Sequence, residues 1–444
     1  MRVVVSFPGN FMDAQQAARA FHERGALAGF VTGVNFAESG FVRKLCAHLP
    51  SGLDERAAKQ LRRRTITQVP ATKVVCYPWL EMLRIVLAKY VKNPTYADRA
   101  WDLLSHRFDR TVARRHLEGV QAVHAFEYTA KYTFEEAANR GVARILAMPS
   151  MDSKEVEDIK TLEEARFPEL QGRHHRYFAA HFNRRYERRR AETALADVIV
   201  ANSELTRCSH VKAGVDPEKI VSVPLAAPPA VAEIVKPETD IKRPLSVVWA
   251  GNLVIQKGAH YFFDAWRALA LGDCGRATAY GAIGLPDRVL RSTPRGLELM
   301  GSVPQQDMFA AFEQADVLVF PTLADGFGMV VMEAFSRGLP VITTDKAGAS
   351  EFVKHGWNGL VISAGDPTVI ADALRWCLDN RKELYEMRFR ALHTARRWQW
   401  PDYRRLLIAK LEQSLCRADF KANFGPEIEK SGLSACLDSF ASAS

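Results

Sequence analysis

Cysteine is sparse in this sequence of 444 residues, and its seven cysteines are scattered singly with no Cys-x-x-Cys pair. This pattern favours a reducing, cytosolic setting and argues against a disulfide framework or a structural zinc site. No apolar run reaches about 18 residues, which argues against a transmembrane helix. The start, MRVVVSF, lacks a basic leader and a long apolar core, so we interpret it as a first β-strand rather than a signal peptide.

Two further motifs are missing. The loop after the first predicted strand, SFPGNFMDAQQ, lacks the Gly-x-Gly-x-x-Gly pattern of a dinucleotide-dependent oxidoreductase, which argues against that class. No recognised nucleic-acid motif accompanies the basic charge, so nucleic acid is not an expected partner. What is present, 48% hydrophobic and 25% charged residues, is typical of a soluble globular protein, and the length favours two domains.

Basic residues are in excess, with a net charge of +9, and they cluster at 61–65, 110–116 and 173–190. The last cluster holds seven arginines against one glutamate. If this segment is helical, one face carries Tyr177, Phe178, His181, Phe182 and Tyr186. One interpretation is a domain helix with a solvated basic face. The other is a surface that meets anionic lipid head groups or an acidic acceptor.

Strand-like and helix-like segments alternate along two regions of the chain. In the first region, apolar runs such as MRVVVSF, VQAVHAF, ARILAMP and ADVIVANS alternate with helical stretches such as DAQQAARAFHERG, which close on glycine. In the second region, LSVVWAG, GLELMGSV, DVLVFPT and LPVITTD alternate with KGAHYFFDAWRALA and GMVVMEAFSRG. Such alternation, with almost continuously apolar strands, predicts parallel sheets covered on both faces.

A proline-rich segment without clear periodicity separates the two regions. We therefore predict two Rossmann-like, doubly wound α/β domains at residues 1–225 and 243–390, joined by a linker at 226–242. Ligands bind such sheets beyond the carboxyl ends of the strands, so two facing domains predict a deep cleft between them. Residues 391–444 begin as a basic amphipathic stretch and end in what we expect to be a loosely ordered tail.

The segment ADGFGMVVMEAFSRGLPVITTD, at 324–345, places an acid on each side of a Gly-Phe-Gly turn that opens into an apolar helix. The start of that helix, near Gly328, is predicted to point into the cleft, where unpaired N–H groups and the helix dipole favour a phosphate. Gly326 and Gly328 permit close backbone approach and unusual φ angles. Glu333 suits the two vicinal hydroxyls of a ribose, and Asp325 is placed to accept from a second sugar. The alternative to a ligand site is that Asp325 and Glu333 only interact favourably with the dipole of the helix.

Two neighbouring strand-to-helix loops carry similar groups. Upstream, Lys257 and Gly258 stand where a helix begins, and a lysine there adds a point charge for a diphosphate. Downstream, another predicted strand end carries Gly348, Ala349 and Ser350. Three successive loops with glycines and anion-binding or hydroxyl-binding groups favour a ligand site over a packing explanation.

These segments resemble glycosyltransferase family 4, whose members are retaining enzymes of the GT-B fold. The resemblance rests on GNLVIQKG, on ADVIVANSELTRCSHVKAGVDPEKIVSVP, and on the long segment from ADVLVFPTLADGFG to NGLVI, and it covers residues 190–410. Its most specific part is the acid-Gly-Phe-Gly…Glu pattern followed by GLPVI. It implies transfer of a hexose from a nucleotide-diphosphate sugar to an acceptor hydroxyl, with retention of configuration and without a divalent metal. The final segment, RRWQWPDYRRLL, is similar to family helices that cross back onto the first domain.

The resemblance also implies roles for single residues. Glu333 matches the residue that binds the nucleotide ribose, and Lys257 matches the lysine of the diphosphate site. Asp325 stands where the family has a glutamate that contacts the donor sugar. The remaining matches, which hold phosphate and sugar or lie near the base, are Phe327, Gly328, Met329, Val330 and Val303.

The sequence departs from the family in three places. Asn252 replaces a common arginine and thereby removes a bidentate phosphate clamp. Aspartate at 325 has a shorter reach than glutamate, which affects which sugar fits. The first-domain histidine of the family has no counterpart in ILAMPSMDS, so His124 and Glu127, at a neighbouring strand end, are the nearest catalytic candidates. A core position is the alternative for His124.

The implied reaction loosens the bond between the anomeric carbon and the β-phosphate, and charge develops on both fragments. Lys257 and the helix N-terminus stabilise the departing diphosphate, while Gly9 and Asn10 are predicted to offer N–H groups to the phosphate or acceptor. No nucleophilic carboxylate is evident, which favours front-face attack over a covalent intermediate. Domain closure is expected to exclude water.

The expected partners are the nucleotide sugar, which is a substrate rather than a cofactor, and a glycan or lipid-linked acceptor. The basic clusters favour an acceptor at the cytoplasmic face of a membrane, so we expect a cytoplasmic protein with a peripheral membrane surface. One alternative is a catalytically weak nucleotide-sugar-binding protein of the same fold, which Asn252 favours. Another is a basic membrane-surface adaptor, which leaves the cleft motifs unexplained.

Overall fold

The structure, a computed structural model, describes residues 1–9, 11–35, 65–79, 83, 93–172, 175–234 and 243–415. Several of the residues and segments singled out in the sequence lie outside these ranges. Asn10, residues 61–64 of the first basic cluster, residues 235–242 of the predicted linker and the tail from 416 lie outside the described part.

The first sheet contains seven parallel strands within the described residues, in the order β3-β2-β1-β4-β5-β6-β7. Its strands are β1 (Val3–Phe7), β2 (Leu27–Thr32), β3 (Val74–Cys76), β4 (Ala122–Phe126), β5 (Ala143–Met148), β6 (Val198–Ala201) and β7 (Ile220–Ser222). Its helices are α1 (Met12–Glu23), α2 (Pro94–Arg115), α3 (Lys131–Asn139), α4 (Ser153–Arg166), α5 (His175–Leu195) and α6 (Glu204–Lys212). The strand order reverses between β1 and β4, which opens a crevice at their carboxyl ends.

The second sheet repeats this order with six parallel strands, β10-β9-β8-β11-β12-β13. Its strands are β8 (Leu245–Ala250), β9 (Gly275–Tyr280), β10 (Leu297–Gly301), β11 (Val317–Phe320), β12 (Val341–Thr344) and β13 (Gly359–Ile362). The helices that follow are α7 (Ala259–Leu269), α8 (Asp287–Leu290), α9 (Gln305–Gln314), α10 (Met329–Ser336), α11 (Pro367–Asp379), α12 (Arg381–Arg397) and α13 (Trp400–Leu415). The predicted pair of doubly wound sheets is confirmed.

The strands form where the sequence is apolar on both faces of the chain. Every residue of β4, β11 and β12 is buried, as expected for parallel strands that are covered on both sides by helices. Glycines bound the helix after the Gly-Phe-Gly turn. Gly328 precedes α10 with φ 84°, and Gly338 follows it with φ 64°. These left-handed conformations suit glycine at a helix boundary, so α10 begins and ends where the sequence predicts.

The C-terminal helices return to the first domain, as predicted. Arg404 on α13 donates from Nε to Glu23 Oε2 at 2.7 Å and from Nη1 to Gln16 Oε1 at 2.7 Å, and both acceptors lie on α1. Before α13, Trp398 donates from Nε1 to the Leu225 carbonyl at 3.1 Å. These contacts tie the end of the described chain to the domain that contains its start.

The basic segment 173–190 is helical over most of its length, but its arginines are not all free. Arg185 on α5 pairs with Asp98 at 2.6 Å and with Asp102 at 2.9 Å, and both acids lie on α2. Arg188 is buried and pairs with the buried Asp109. The interpretation of the whole cluster as a solvated or lipid-facing surface is therefore corrected, because part of it joins α5 to α2. No helix in the described ranges is long and apolar enough to cross a bilayer.

Candidate active site

Two loops meet at the switch point of the second sheet, between β8 and β11. The first loop carries Lys257 and the second carries Asp325, and Lys257 Nζ donates a hydrogen bond to Asp325 Oδ2. Their side chains are 20% and 19% exposed, so both remain accessible to a ligand. The ammonium also lies 5.7 Å from the centroid of the Phe320 ring. The lysine predicted for a diphosphate and the carboxylate predicted for a sugar are thus in direct contact.

Backbone contacts fix the positions of these two loops. Gly258, directly after Lys257, has φ 70°, and a Cβ there would lie 2.1 Å from the Pro321 carbonyl oxygen. Gln256 accepts at its carbonyl from Leu323 N–H at 2.9 Å and donates from Nε2 to the Ala324 carbonyl at 2.8 Å. Lys257 and Asp325 are therefore held by loops that are hydrogen-bonded to each other.

The two glycines of the Gly-Phe-Gly turn have different functions. Gly328 has the predicted unusual φ, and a Cβ there would lie 2.8 Å from the Phe320 ring. Gly326 has no positive φ, which corrects the expectation of an unusual backbone angle at that position. It is close to another chain segment instead, since its Cβ would lie 2.8 Å from both the Pro149 carbonyl oxygen and Ser150 Cα. Glycine is required at 326 because a side chain there would collide with the backbone of the first domain.

Phe327 stabilises the conformation of the turn through its buried side chain and its backbone hydrogen bonds. Its side chain is buried, its N–H donates to Asp325 Oδ1 at 3.2 Å, and its carbonyl accepts from Ala349 N–H at 2.6 Å. Of the residues predicted to hold phosphate and sugar in this segment, Met329 and Val330 lie at the start of α10. The N–H groups in the first turn of a helix have no intrahelical acceptor and carry partial positive charge, so this end of α10 suits an anion.

Glu333 lies on α10 beside the loop that follows β10. Its Oε1 accepts from Gln305 Nε2 at 3.1 Å, and Gln305 begins α9 two residues after the half-buried Val303. Burial raises the pKa of Glu333, opposed by the hydrogen bond from Gln305 and by the positive charge of Arg337. Asn252 is exposed on the loop after β8. The predicted second-domain residues thus lie on α10 and in the loops after β8, β10 and β11, at the carboxyl ends of these strands. No group of three or more His, Cys, Asp or Glu side chains in the described ranges is arranged to hold a metal ion.

The structure places His124 inside the first domain, which is the core alternative given above. Its side chain is 1% exposed on β4, and its ring lies 5.8 Å from that of Phe21 and 5.6 Å from that of Phe126. Burial lowers the pKa of His124 to about 4, so the imidazole is neutral at physiological pH. This position leaves His124 without access to the cleft.

The depressed pKa of His124 predicts an effect on acid stability. The unfolded chain takes up a proton near the ordinary pKa of 6.5, whereas the folded chain resists it down to about 4, so stability falls as the pH drops through this window. Between about pH 7 and about pH 5 we expect this residue to account for a loss of about 2 kcal/mol in the free energy of unfolding. Urea unfolding of the wild type and of His124→Leu at both pH values measures the difference. An equal pH dependence in the two proteins would contradict a neutral buried imidazole.

Glu127 directly follows β4 and is engaged on both oxygens. Its Oε1 lies 2.9 Å from Arg189 Nε, and its Oε2 accepts from Ser150 Oγ at 3.0 Å. Gly9 lies two residues after β1, and its carbonyl accepts from Thr32 Oγ1 at 3.2 Å. The Glu127 carboxylate is therefore paired with Arg189, and Ser150 links it to the backbone that meets Gly326. Asn10 lies outside the described residues.

Two first-domain residues at this site were not predicted from the sequence. Ser203 donates from Oγ to the Gly326 carbonyl at 2.5 Å, and Thr206 donates from Oγ1 to the same oxygen at 3.0 Å. The segment ANSELT carries a signal for a helix N-cap at Ser203, and the side chain does accept from Thr206 N–H at 3.0 Å. The contact across the domains has no signal in the sequence, since Gly326 lies more than a hundred residues away.

The second domain contains a segment that matches a model of a known protein family. Residues 244–380 match the family model described as Glycosyl transferases group 1, and this range contains Lys257, Asp325 and Glu333. A D-inositol 3-phosphate glycosyltransferase of Corynebacterium efficiens is 29% identical over 171 residues, which is 38% of this chain and 35% of the relative. Sucrose-phosphate synthase 4 of Arabidopsis thaliana is 33% identical over 101 residues, 23% of this chain and 9% of the relative. The matched segments span about a third or less of these relatives' length.

Solved structures match almost the whole chain. HepE of Anabaena, solved in complex with UDP, covers 93% of this chain and 100% of its own, with a TM-score of 0.57 and 14% identity. The chain has the GT-B fold. Sucrose-phosphate synthase of Thermosynechococcus elongatus shares the GT-B fold at a TM-score of 0.58 and 15% identity, covering 94% of this chain and 99% of its own. Because the sequence identities are only 14% and 15%, these structures show similarity of fold alone.

Proposed function

We propose that this protein is a retaining glycosyltransferase of family 4 that transfers a hexose from a nucleotide-diphosphate sugar to an acceptor hydroxyl. The observation that carries the proposal is the contact between Lys257 and Asp325 beside the N-terminus of α10, within the segment that matches the glycosyltransferase family model. The neighbouring GT-B protein HepE has been solved with UDP and with UDP-glucose, which supports a donor of this class. The expected products belong to a polysaccharide, lipopolysaccharide or glycolipid.

In the proposed complex, the donor diphosphate replaces Asp325 as the partner of Lys257. The ammonium and the first turn of α10 then provide positive charge on two sides of the phosphates, which suits a leaving group whose negative charge increases. Asp325, released from the lysine, accepts from hydroxyls of the donor sugar. Glu333 accepts from the ribose hydroxyls beside Val303, which lies near the base.

The proposed reaction breaks the bond between the anomeric carbon and the β-phosphate oxygen. The acceptor oxygen forms its bond to the anomeric carbon on the same face, and its proton passes to the leaving phosphate. The products are the glycoside and the nucleoside diphosphate. Because Lys257 and the helix N-terminus provide the positive charge, we expect turnover without a divalent metal. Because Asn252 provides no guanidinium, Lys257 contributes a larger share of the positive charge at the proposed phosphate site.

We further propose that the acceptor is glycan or lipid-linked and that the protein meets it at an anionic membrane surface. The support is one face of α2, on which Arg99, Arg107, Arg110 and Arg114 are exposed. Tyr96 and Leu103 on the same face are 60% and 58% exposed. Basic and apolar side chains together favour anionic lipid. Co-sedimentation with anionic vesicles tests this surface, and the bound fraction is expected to fall as salt is raised.

The proposed function is tested by a thermal-shift screen against UDP, GDP and ADP sugars. A true donor binds the native state alone, so one nucleotide class is expected to raise the midpoint of unfolding. That donor is then incubated with candidate acceptors, and the anomeric configuration of the product is read by NMR. Stabilisation without transfer or donor hydrolysis would favour the alternative, a nucleotide-sugar-binding protein. No stabilisation by any nucleotide sugar would contradict both.

A further inference from the structure

We infer that Ser203 and Thr206 are positioning residues through which the first domain fixes the donor loop of the second. Their hydroxyls converge on one acceptor, the Gly326 carbonyl oxygen, at 2.5 Å and 3.0 Å. Both side chains are fully buried. Their role in catalysis rests on the proposed function, whereas the contact itself is independent of it.

The helix cap of α6 determines the direction of the Ser203 hydroxyl. Ser203 Oγ accepts from Thr206 N–H at 3.0 Å, which occupies the oxygen on the helix side and leaves the proton to be donated outward. A buried hydroxyl without a hydrogen-bond partner costs free energy. The two hydroxyls therefore favour a domain arrangement in which a carbonyl oxygen lies within hydrogen-bond distance of both. The Gly326 carbonyl occupies that position.

Two glycines allow the domains to approach this closely. A Cβ at Gly348 would lie 2.1 Å from the Gly326 carbonyl oxygen and 2.5 Å from Ser203 Oγ. A Cβ at Gly326 would lie 2.8 Å from the Pro149 carbonyl oxygen. Neither glycine has a positive φ, so space and not backbone strain requires glycine here. At these two positions the second domain therefore presents backbone without a side chain to Ser203 and to the loop after β5.

This contact is part of the proposed donor site. Gly326 lies between Asp325, which binds Lys257, and Phe327, whose N–H donates to Asp325. Fixing the Gly326 carbonyl fixes the peptide that leads to Gly328 and the start of α10. Closure of the first domain thereby completes the loop that is proposed to hold the diphosphate. A movement of the domains that opens the cleft would break both hydroxyl contacts to that loop.

The hydroxyls are tested with the double variant Ser203→Ala/Thr206→Val. We expect faster hydrogen exchange at the Phe327 and Ala349 amides and a fall of about tenfold in kcat/KM for the donor, with the acceptor KM unchanged. Thr206→Ser keeps a hydroxyl and is expected to behave like the wild type. Thr193→Val is the matched control, because Thr193 Oγ1 donates within its own helix, to the Arg189 carbonyl at 2.9 Å. A double variant that keeps wild-type exchange and donor kinetics would overturn the inference.

The space at the contact is tested with Gly348→Ala. The added methyl group is expected to separate the domains at this point, with faster exchange at Phe327 and a loss of donor kcat/KM at least as large as that of the double variant. Gly172→Ala is the control, because a Cβ at Gly172 would meet nothing within 4 Å. Wild-type behaviour of Gly348→Ala would overturn the inference. Hydrogen exchange reports the contact without turnover, so failure of the proposed transfer reaction is seen separately.

Discussion

Replacing Lys257 with alanine is expected to lower kcat by a factor of about 10² or more, the loss seen when a preorganised group that stabilises developing charge is removed. The side chain of Lys257 places an ammonium group at the switch point of the second sheet, and its partner there, Asp325, is a residue that the donor sugar is proposed to engage. Initial-rate measurements with saturating donor and acceptor give the change in kcat directly. Lys257→Arg keeps the charge on a planar group and is expected to recover only part of the rate.

A lysine on the neighbouring loop provides the control for this experiment. Lys346 pairs with Asp345 at 2.7 Å, and its side chain is 46% exposed, so Lys346→Ala removes one positive charge near the site without touching the proposed phosphate contacts. We expect that variant to retain wild-type turnover. Near-wild-type kcat for Lys257→Ala would show that the lysine takes no part in the mechanism. Equal losses of kcat in both variants would show that any positive charge near the site has the same effect.

The second large effect is expected from Glu333→Ala, which removes the proposed acceptor of the ribose hydroxyls. Loss of hydrogen bonds to a charged group costs about 1.5–3 kcal/mol, which corresponds to a rise of about 10- to 150-fold in the dissociation constant of the nucleotide. Calorimetric titration with the cognate nucleoside diphosphate measures this constant without turnover. Unchanged nucleotide affinity would contradict the ribose assignment. Glu298→Ala, an exposed acid on β10, serves as the matched control.

The same assignment predicts how nucleotide affinity depends on pH. Burial raises the pKa of Glu333, and only the ionised carboxylate accepts from both ribose hydroxyls. Affinity is therefore expected to weaken as the pH falls through a pKa above that of an ordinary glutamate. This weakening should be absent from Glu333→Ala, whose affinity is already low.

The strands and the helix that carries Glu333 were predictable because local sequence determines them. Continuous apolar runs mark β4, β11 and β12, and glycines at 328 and 338 bound α10. The long helix α2 was not predicted, because its acids and arginines conceal its apolar face. Asn93 caps it by accepting from Thr95 N–H at 3.0 Å, a weak signal in a polar segment.

Contacts between segments that are distant in the chain could not be predicted from the sequence. The net excess of arginine in 173–190 predicts a basic surface, yet Arg185 and Arg188 pair with acids on α2 that lie far away in the chain. His124 has the sequence context of a strand end, but side chains alternate along a strand, and this one faces Phe21 in the core. The ion pair between Lys257 and Asp325 depends on β8 and β11 being neighbours at the switch point, which only the strand order reveals.

A crystal structure with the cognate nucleoside diphosphate bound shows directly whether Lys257 and α10 hold the phosphates. We expect a β-phosphate oxygen about 3 Å from Lys257 Nζ and beside the first turn of α10, with Asp325 no longer paired to the lysine. A diphosphate bound elsewhere at saturating concentration, with Lys257 still on Asp325, would contradict this expectation.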